Sequence, residues 1–274
     1  MNAPAVSVVI RTKNEAPSIG KLLGILRAQH VEGEVETIVV DSGSDDGTPD
    51  IARGQVSELI EIPASEFTFG RALNLGAEVA RAPVIVALSA HAFPIGDAYL
   101  ARMIAHFEDD RVACATGADR RPDGSPLGEL VIQDHALARR HPLWGYSNAA
   151  GGFRADLWRS RPFREDLPGT EDKEWSWHWL QEGLVTVLDP ALEVDHSHGR
   201  DPLRDCYFRA RREWEGYAAY LELEPLTPLD VVKTWWCDQE TYATPWRARR
   251  NPWRAAALAG QWAGRRRGRA RWAR

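Results

Sequence analysis

The chain has 274 residues, a formal net charge of −5 and three cysteines. That length can bury a full core and fits one large domain with an extension. The widely spaced cysteines, Cys114, Cys206 and Cys237, argue against a disulfide framework or a zinc knuckle. We see no apolar run near 18 residues and no charged-then-apolar leader, and therefore expect a cytoplasmic protein without a membrane span or secretory signal.

The first half of the chain alternates apolar runs with amphipathic segments. Short β-branched or apolar runs predict strands at residues 6–10, 35–40, 59–62 and 84–88. Apolar residues at helical spacing predict helices at residues 17–26 and 70–81. This alternation predicts an α/β fold with a doubly wound, mostly parallel, Rossmann-like sheet flanked by helices.

The second half has a less regular pattern. We expect strands at residues 112–115 and 185–188. We expect helices at residues 130–140, 175–181 and 202–221. Residues 147–152 are small and predict a loop where the backbone approaches a ligand closely. Pro225 and Pro228 indicate a boundary, which gives a domain at 1–224 and a helical extension rich in Trp and Arg at 225–274.

Polar side chains follow three of the predicted strands. Ser89 and His91 come after the fourth strand, which is apolar throughout, while Thr12, Glu15 and Asp41 follow the first two. Open α/β sheets bind ligands at this carboxyl edge, and oxygens placed there suit a pyrimidine ring and ribose hydroxyls. For Asp41, turn formation is an equal alternative. We therefore expect the edge to hold a nucleotide, its diphosphate and a metal ion.

Four motifs occur in a fixed order: residues 7–15, which end in Arg-Thr-Lys-Asn-Glu, and residues 38–48, 70–76 and 170–175. Together they resemble family 2 glycosyltransferases of the GT-A fold, most closely the bacterial rhamnosyltransferase-like branch. Later pieces fit that branch too: Ser147-Asn148-Ala149, Arg154, Trp158 and His196-Ser197-His198. The resemblance covers roughly residues 5–220.

The resemblance implies roles for several residues. Thr12, Glu15, Asp41 and Ser44 are expected in the nucleotide pocket. The remaining donor-binding residues are expected along the diphosphate and donor sugar, and these are Arg71, Asn74, Ser89 and Asn148. A solvated helix position is the plain alternative for Arg71. The implied donor is dTDP-rhamnose, with other dTDP-, UDP- and GDP-sugars open.

The chain departs from the family at the metal motif. Most members carry Asp-x-Asp where this chain has Ser89-Ala90-His91. A diphosphate leaving group needs positive charge, usually Mg²⁺ or Mn²⁺ on oxygen ligands, and imidazole shifts the preference toward Mn²⁺. We expect a weak site that the donor completes, with ligands His91, His196 and His198. The alternative is metal-free neutralisation of the phosphates by His91, Arg71 and Arg200.

An acidic pair precedes the aromatic helix at 175–181. Inverting transfer needs a carboxylate to take the proton of the acceptor hydroxyl. Asp172 occupies the family's base position, and Glu171 is expected to orient a neighbouring group or to cap the helix. The alternative is a capping cluster at the helix N-terminus, where acids stabilise by about 0.3–1 kcal/mol. The three nearby tryptophans are Trp175, Trp177 and Trp179. We expect most of them to pack internally and one to be able to stack on a sugar.

The end of the chain is strongly basic. Ten arginines follow residue 246 without any acid, so residues 1–246 carry −15 of the formal charge. Trp and Arg mixed over residues 252–274 predict an interfacial helix on anionic lipid, with 247–274 as the contact. A dimerising helix, a structural brace and a frayed end are alternatives. Nucleic acid is not expected, because no aromatic and basic platform accompanies the charge.

The sequence thus predicts inverting sugar transfer from a nucleoside diphosphate to a hydroxyl acceptor. The acceptor is open among a saccharide, a lipid-linked saccharide and a secondary metabolite, and a homodimer is possible. Two other classes remain. A sugar-1-phosphate nucleotidyltransferase would carry a glycine-rich loop after its first strand, which residues 11–15 lack. A non-catalytic nucleotide-sugar-binding protein would explain the missing acids at Ser89 and His91, although Glu171 and Asp172 argue against it.

Overall fold

A computed structural model describes residues 3–196, 202–237 and 252–273. Its ten described strands, numbered β1 to β10 in chain order, are Val6–Thr12, Val35–Asp41, Glu58–Glu61, Val84–Ser89, Phe93–Pro94, Val112–Gly117, Val131–Gln133, Ala150–Arg154, Val185–Asp189 and Val194–Asp195. The described α-helices, α1 to α10, are Ala16–Arg27, Thr48–Ala52, Phe69–Val79, Tyr99–Ala105, His135–Arg140, Ala155–Ser160, Glu171–Gln181, Leu203–Tyr217, Pro228–Cys237 and Pro252–Trp272.

Eight strands form one sheet in the order β3-β2-β1-β4-β8-β6-β9-β7. The strands β3, β2, β1 and β4 are parallel, and β6 and β9 run parallel to each other. Two strands are reversed: β8 is antiparallel to both β4 and β6, and β7 is antiparallel to β9. The predicted mostly parallel sheet is confirmed. A second, two-stranded sheet pairs β5 with β10.

Alternate residues of β1 explain how the two faces are covered. Val8 and Ile10 belong to one apolar cluster, with the buried face of α1, while Val9 belongs to the other, with α3. On the second face, Gly76 allows α3 to approach the sheet, because a Cβ there would lie 2.4 Å from Val9 Cγ1. This period-two burial holds the carboxyl ends of β1, β2 and β4 in register along one edge.

The helix predicted at residues 130–140 is wrong over its first half. Val131–Gln133 is a strand, and the helix begins only at His135, where Asp134 accepts a hydrogen bond from Leu137 N at 2.8 Å. The β-branched residues at the start pair with β9, a partner more than 50 residues away. Tertiary pairing therefore overrides the local helical pattern.

The loop predicted at residues 147–152 is also wrong in part, because residues 150–152 begin β8. A Cβ on Gly151 would lie 2.4 Å from Ser147 O. The small residues therefore make room for the chain itself, between β4 and β6. The sequence predicted that this backbone contacts a ligand closely, but in the structure it contacts the backbone of the same chain.

The chain divides into two compact units. One comprises Met1–Arg164 with Trp175–Ser197, and the other comprises Glu165–Glu174 with His198–Arg274. The first contains the sheet and the second contains α8, α9 and α10. The division of the sequence into a domain at 1–224 and an extension at 225–274 stays a prediction.

In the second unit, α10 packs lengthwise on α8 through glycines at four-residue spacing. A Cβ on Gly260 would lie 2.3 Å from Tyr207 O, and one on Gly264 would lie 2.3 Å from Arg211 O. The buried Glu215 of α8 accepts hydrogen bonds of 3.0 Å from both Arg267 and Arg271. These contacts make α10 a brace on α8. Among the described residues, no helix has both the length and the hydropathy needed to span a bilayer.

Candidate functional site

A cavity of about 200 Å³ opens at the carboxyl ends of β1, β2 and β4. Thr12 pairs in register with Asp41, and Arg11 with Ser89, so the three strands end together. The residues that line the cavity are Arg11, Thr12, Lys13, Glu15, Ser42, Phe67, Phe69, Ser89 and His91. The edge predicted from the sequence is therefore concave and lined mainly by polar side chains.

Two hydroxyls in this cavity are buried without a hydrogen-bond partner among the described residues. They are Thr12 Oγ1 and Ser42 Oγ, and their residues are 4% and 1% exposed. Burying a hydroxyl without a partner costs on the order of 1–3 kcal/mol. Native proteins therefore seldom leave such groups unsatisfied without a functional reason. Both hydroxyls belong to residues that line the cavity, which makes them candidates for binding a polar ligand.

Asp41 and Ser44 organise the loop after β2. The Asp41 carboxylate accepts hydrogen bonds from Gly43 N at 3.0 Å, Ser44 N at 2.9 Å and Ser44 Oγ at 2.5 Å. Ser44 Oγ in turn accepts from Asn14 N at 2.8 Å, which ties this loop to the one after β1. Asp41 and Ser44 therefore fix the loop backbone beside the cavity, and their direct contact with a nucleotide stays a prediction.

Glu15, His91 and His196 come together beside the cavity. Glu15 Oε1 lies 2.7 Å from His91 Nδ1. The His91 ring stacks on the His196 ring, with centroids 4.9 Å apart and planes 14° from parallel. The sequence predicted all three as site residues, and the structure brings them into one cluster. His198 and Arg200 lie outside the described residues.

Arg71, Asn74 and Asn148 make internal contacts. Arg71 forms an ion pair of 2.9 Å with Glu66. Asn74 donates from Nδ2 to Phe163 O at 2.9 Å, and its Oδ1 accepts from Phe163 N and Trp158 Nε1 at 3.0 Å. The buried Asn148 Oδ1 accepts from the hydroxyl of Tyr146 at 2.7 Å, and its carbonyl accepts from Arg11 at 3.2 Å. These bonds hold the walls of the first unit, and contact of the three residues with a donor stays a prediction.

An aromatic wall beside the cavity was not predicted from the sequence. Phe67 and Phe69 flank Thr68, the residue that caps α3, and their rings meet edge to face at 5.0 Å. The Arg11 guanidinium lies over the Phe69 ring, 5.4 Å from its centroid. Two aromatic residues directly before the motif at 70–76 were the available signal. Such a wall suits the flat, apolar face of a nucleobase.

In the second unit, the acidic pair begins α7 after a strained residue. Thr170 has φ of +69°, a left-handed conformation that is rare for a β-branched side chain. It is held there from α8, because a Cβ on Gly216 would lie 2.3 Å from Gly169 O. Glu171 is buried, whereas Asp172 Oδ1 accepts a hydrogen bond from Lys173 N at 2.7 Å. The backbone before Asp172 is therefore fixed in a costly geometry of the kind found at functional sites.

Acidic and phenolic groups on α8 and just after it lie in the same unit as Asp172. Burial raises the pKa of Glu213, and the negative charge of Asp172 raises it further, while Arg212 opposes both. Burial likewise raises the pKa of Tyr217 and of Tyr220, with a smaller contribution from Asp172. The two tyrosines therefore remain neutral hydroxyls at physiological pH.

Comparison with known proteins decides the family. A model of the family described as glycosyl transferase family 2 matches residues 7–158, which is more than half of the chain. The chain belongs to glycosyl transferase family 2. The matched segment contains all of the cavity residues and ends at Trp158.

Curated relatives of this family 2 chain include two validoxylamine A glucosyltransferases of Streptomyces hygroscopicus. The protein from subspecies jinggangensis (strain 5008) is 28% identical over 240 residues, covering 73% of this chain and 57% of the relative. The protein from subspecies limoneus is 27% identical over 240 residues, covering 73% and 53%. The chain thus spans little more than half the length of these relatives.

Two solved structures of sugar-transferring enzymes share the fold. The mannosyltransferase from Pyrobaculum calidifontis, in complex with GDP-Man and Mn²⁺, superposes with a TM-score of 0.61 at 20% identity, covering 98% of this chain and 74% of that one. Glucosyl-3-phosphoglycerate synthase from Mycobacterium tuberculosis, with Mn²⁺, UDP and glucosyl-3-phosphoglycerate, gives 0.55 at 18% identity, covering 78% of each. The family 2 chain therefore has the GT-A fold that the sequence predicted.

The described side chains of this family 2 chain could hold a metal ion only if the phosphate groups of a bound nucleotide supply further ligands. Among the described residues, no group of three or more His, Cys, Asp or Glu side chains is placed to hold an ion. Glu15 binds one ring nitrogen of His91 at 2.7 Å. A carboxylate in that position orients a histidine whose other nitrogen faces a metal. The His91 and His196 rings stack with planes 14° apart, so their nitrogen lone pairs lie in nearly parallel planes, and both rings could bind one ion only after one of them turns.

A second cavity, of about 480 Å³, lies at the carboxyl ends of β6 and β9. Leu127, Leu192 and Val194 give it apolar walls, and Asp119 and Glu193 contribute carboxylates. The cavity lies in the same unit as His91 and His196. His91 precedes β5 and His196 follows β10, and these two strands pair with each other. The sequence analysis contained no signal for this cavity.

Proposed function

We propose that the chain is an inverting glycosyltransferase that moves a sugar from a nucleoside diphosphate to a hydroxyl acceptor. Family membership supports the reaction class. The observation that carries the proposal is the cavity at the ends of β1, β2 and β4, where two buried hydroxyls lie within one site with the Glu15–His91 pair. Hydrogen-bonding groups and cations at one sheet edge suit a nucleotide and its diphosphate.

Within this proposal the nucleoside enters between the aromatic wall and the buried hydroxyls. Thr12 and Ser42 bind its polar groups, the rings of Phe67 and Phe69 cover the base, and the loop fixed by Asp41 closes the pocket. The diphosphate then extends toward Ser89 and His91 at the end of β4. Positive charge from Arg11 and Lys13 on the same cavity lowers the free energy of the bound phosphates.

A divalent ion, Mn²⁺ or Mg²⁺, is part of the proposal, and the two structural relatives solved with Mn²⁺ support it. His91 and His196 would hold it, with His198 as a further proposed ligand. Such an ion stabilises the negative charge that develops on the departing diphosphate. Glu15 keeps the His91 ring in the orientation that this requires.

Asp172 is the proposed general base. The acceptor hydroxyl loses its proton to the Asp172 carboxylate while its oxygen attacks the anomeric carbon from the face opposite the leaving group. The bond between that carbon and the diphosphate oxygen breaks, and the nucleoside diphosphate departs with both electrons. The buried Glu171 and the strained Thr170 position the base.

The donor and acceptor remain broader proposals. The resemblance favours dTDP-rhamnose, and the curated relatives favour a glucosyl donor with a small hydroxylated metabolite as acceptor. Saccharide and lipid-linked acceptors belong to the same class of hydroxyl nucleophile.

A product assay tests the reaction class. The chain is incubated with UDP-, GDP- and dTDP-sugars and a mixture of hydroxyl acceptors, with Mn²⁺ present. Release of a nucleoside diphosphate together with a glycosylated acceptor is expected. A parallel incubation supplies a sugar 1-phosphate and nucleoside triphosphates instead. Release of inorganic pyrophosphate there, with no glycosylated acceptor in the first assay, would identify a nucleotidyltransferase and contradict the proposal.

A further inference from the structure

The basic helix α10 exposes one large apolar side chain, Trp253, at 36%. Its buried residues are Leu258, Gly260, Gly264 and Gly268, and the three glycines lie against the backbone of α8. The helix carries six arginines and no acidic residue. The solvent-facing side of α10 is therefore mainly positively charged.

The helix α9 has the opposite character. Leu229, Val232 and Trp236 are 60%, 56% and 64% exposed. Their spacing of i, i+3 and i+7 places them along one side of the helix. Single exposed apolar residues are common on protein surfaces, but a row of three large ones on one helix face indicates a binding surface.

Exposed cationic side chains occur on α9 and on the helix that packs against it. Lys233 is exposed on α9 itself. α10 packs against α9 as well as α8, and its Arg266 and Arg269 are exposed. The Arg266 guanidinium lies 5.0 Å from the centre of the Trp262 ring, which is a pairing that remains favourable in an interfacial environment. The one acid of α9, Asp230, bonds the cap residue Thr227 at 2.6 Å.

We propose that α9 docks on an anionic lipid surface, inserting Leu229, Val232 and Trp236 while the arginines of α10 contact the headgroups. Apolar side chains on one helix face beside a cationic surface are the combination that binds the interface of an anionic bilayer. Trp236 suits that depth, because its ring is apolar while its N–H can reach water. This places the lipid contact on α9 rather than on α10 alone.

A second copy of the chain fits the surface less well. A stable protein interface uses roughly 20–30 residues on each side, whereas the row offers three. A two-fold contact through α9 would also bring two arginine-rich helices toward each other, which repel. Lipid binding needs neither a larger area nor a complementary acidic face.

Flotation with vesicles tests the proposal on the full chain, without substrate. Phosphatidylcholine vesicles with about one third phosphatidylglycerol are compared with pure phosphatidylcholine, at low and high salt. The wild type should float only with the anionic vesicles and mainly at low salt. The triple variant Leu229→Ser/Val232→Ser/Trp236→Ser should lose at least about tenfold in bound fraction, and Arg266→Gln/Arg269→Gln should lose binding at low salt.

The matched control is Val79→Ser/Leu130→Ser/Ile132→Ser, which removes three exposed apolar side chains from the other unit and should float like the wild type. Sedimentation velocity and circular dichroism check that each variant is folded and monitor its assembly state. Equal flotation of the α9 variant and the wild type, or no flotation of the wild type, would overturn the proposal. Self-association that depends on the α9 row, in place of flotation, would identify a second copy as the occupant and also overturn it.

Discussion

Among single residues, the buried hydroxyls and the imidazole pair carry the chemistry of the proposed donor site. Glu15, His91 and Thr12 were predictable, because each follows a strand that an apolar run identifies. Ser42 and the two phenylalanines were not, since only the tertiary fold shows that they line the same cavity. The Asn74 amide bonds Phe163 and Trp158 in the structure, a structural role that the sequence did not indicate, and its contact with a donor stays a prediction.

The role of Asp172 gives a direct prediction. Asp172→Asn removes the proposed base but keeps the size of the side chain, so the variant should fold normally and bind nucleoside diphosphate as the wild type does. Its kcat should fall by about 10²–10⁴-fold, the usual contribution of a general base. The control, Asp110→Asn, alters a fully exposed carboxylate and should leave kcat unchanged. Undiminished turnover of Asp172→Asn would refute the assignment.

The contact between Glu15 and His91 gives a second prediction. Glu15→Gln should weaken binding of a nucleoside diphosphate in the presence of Mn²⁺ by about 10–100-fold, because the imidazole loses the carboxylate that orients it. Asp97→Asn is the matched control, since Asp97 makes a similar contact of 3.1 Å with the exposed His30. Equal Mn²⁺-dependent affinities of Glu15→Gln and wild type, measured by calorimetry, would contradict the role given to Glu15.

Burial of Glu213 gives a prediction for pH. Its folded-state pKa is raised, mainly by burial, so ionising it costs stability. That cost is absent below about pH 4.5, where the carboxyl is protonated in both states. It grows as pH rises from there to the raised folded pKa, and it is constant above that pKa. Glu213→Gln should therefore raise Tm at pH 8 relative to the wild type, and change it less at pH 4. Glu78→Gln, at an exposed site on α3, should show no such trend.

At the scale of elements, local pattern succeeded where local forces decide the outcome. Apolar spacing identified α1, and the β-branched runs identified β1 and β2. It failed for residues 130–140 and 150–152, because β7 and β8 form by pairing with strands distant in the sequence. Glycines do not distinguish these cases, because they occur both in loops and in strands whose backbone packs closely against a neighbour.

The close packing of α10 on α8 gives a prediction for stability. Gly264→Ala places a methyl group 2.3 Å from Arg211 O, so the second unit should lose about 1–3 kcal/mol of unfolding free energy. The matched control, Gly24→Ala in α1, meets no atom within 4 Å. It should be neutral or stabilise by about 0.5–1 kcal/mol, as alanine does within helices. Denaturant unfolding measures both, and equal effects would show that the glycine contact is not tight.

At the scale of the whole molecule, the sequence predicted the family and the sheet, while the construction of the second unit followed only from structure. The basic tail was predicted to be an interfacial helix, with a structural brace among the alternatives. In the structure α10 uses its glycine face and two arginines to brace α8, and lipid contact of residues 247–274 stays a prediction. No periodic signal relates residues 260–268 to residues 207–215, because the contact joins two helices about 50 residues apart. The acidic motif that begins α7 is held from α8, so the brace and the proposed base belong to the same unit.

The most direct measurement is a calorimetric titration of UDP, GDP and dTDP, with Mn²⁺, into the wild type and Thr12→Val/Ser42→Ala. Because neither hydroxyl has a partner among the described residues, the double variant should keep the wild-type Tm without nucleotide. It should bind the preferred nucleotide about 10–30-fold more weakly. Thr116→Val, which loses a 3.1 Å bond to Ala150 O, should show the reverse: a lower Tm with unchanged affinity. Equal affinity of the double variant and the wild type would contradict a nucleotide site at this edge of the sheet.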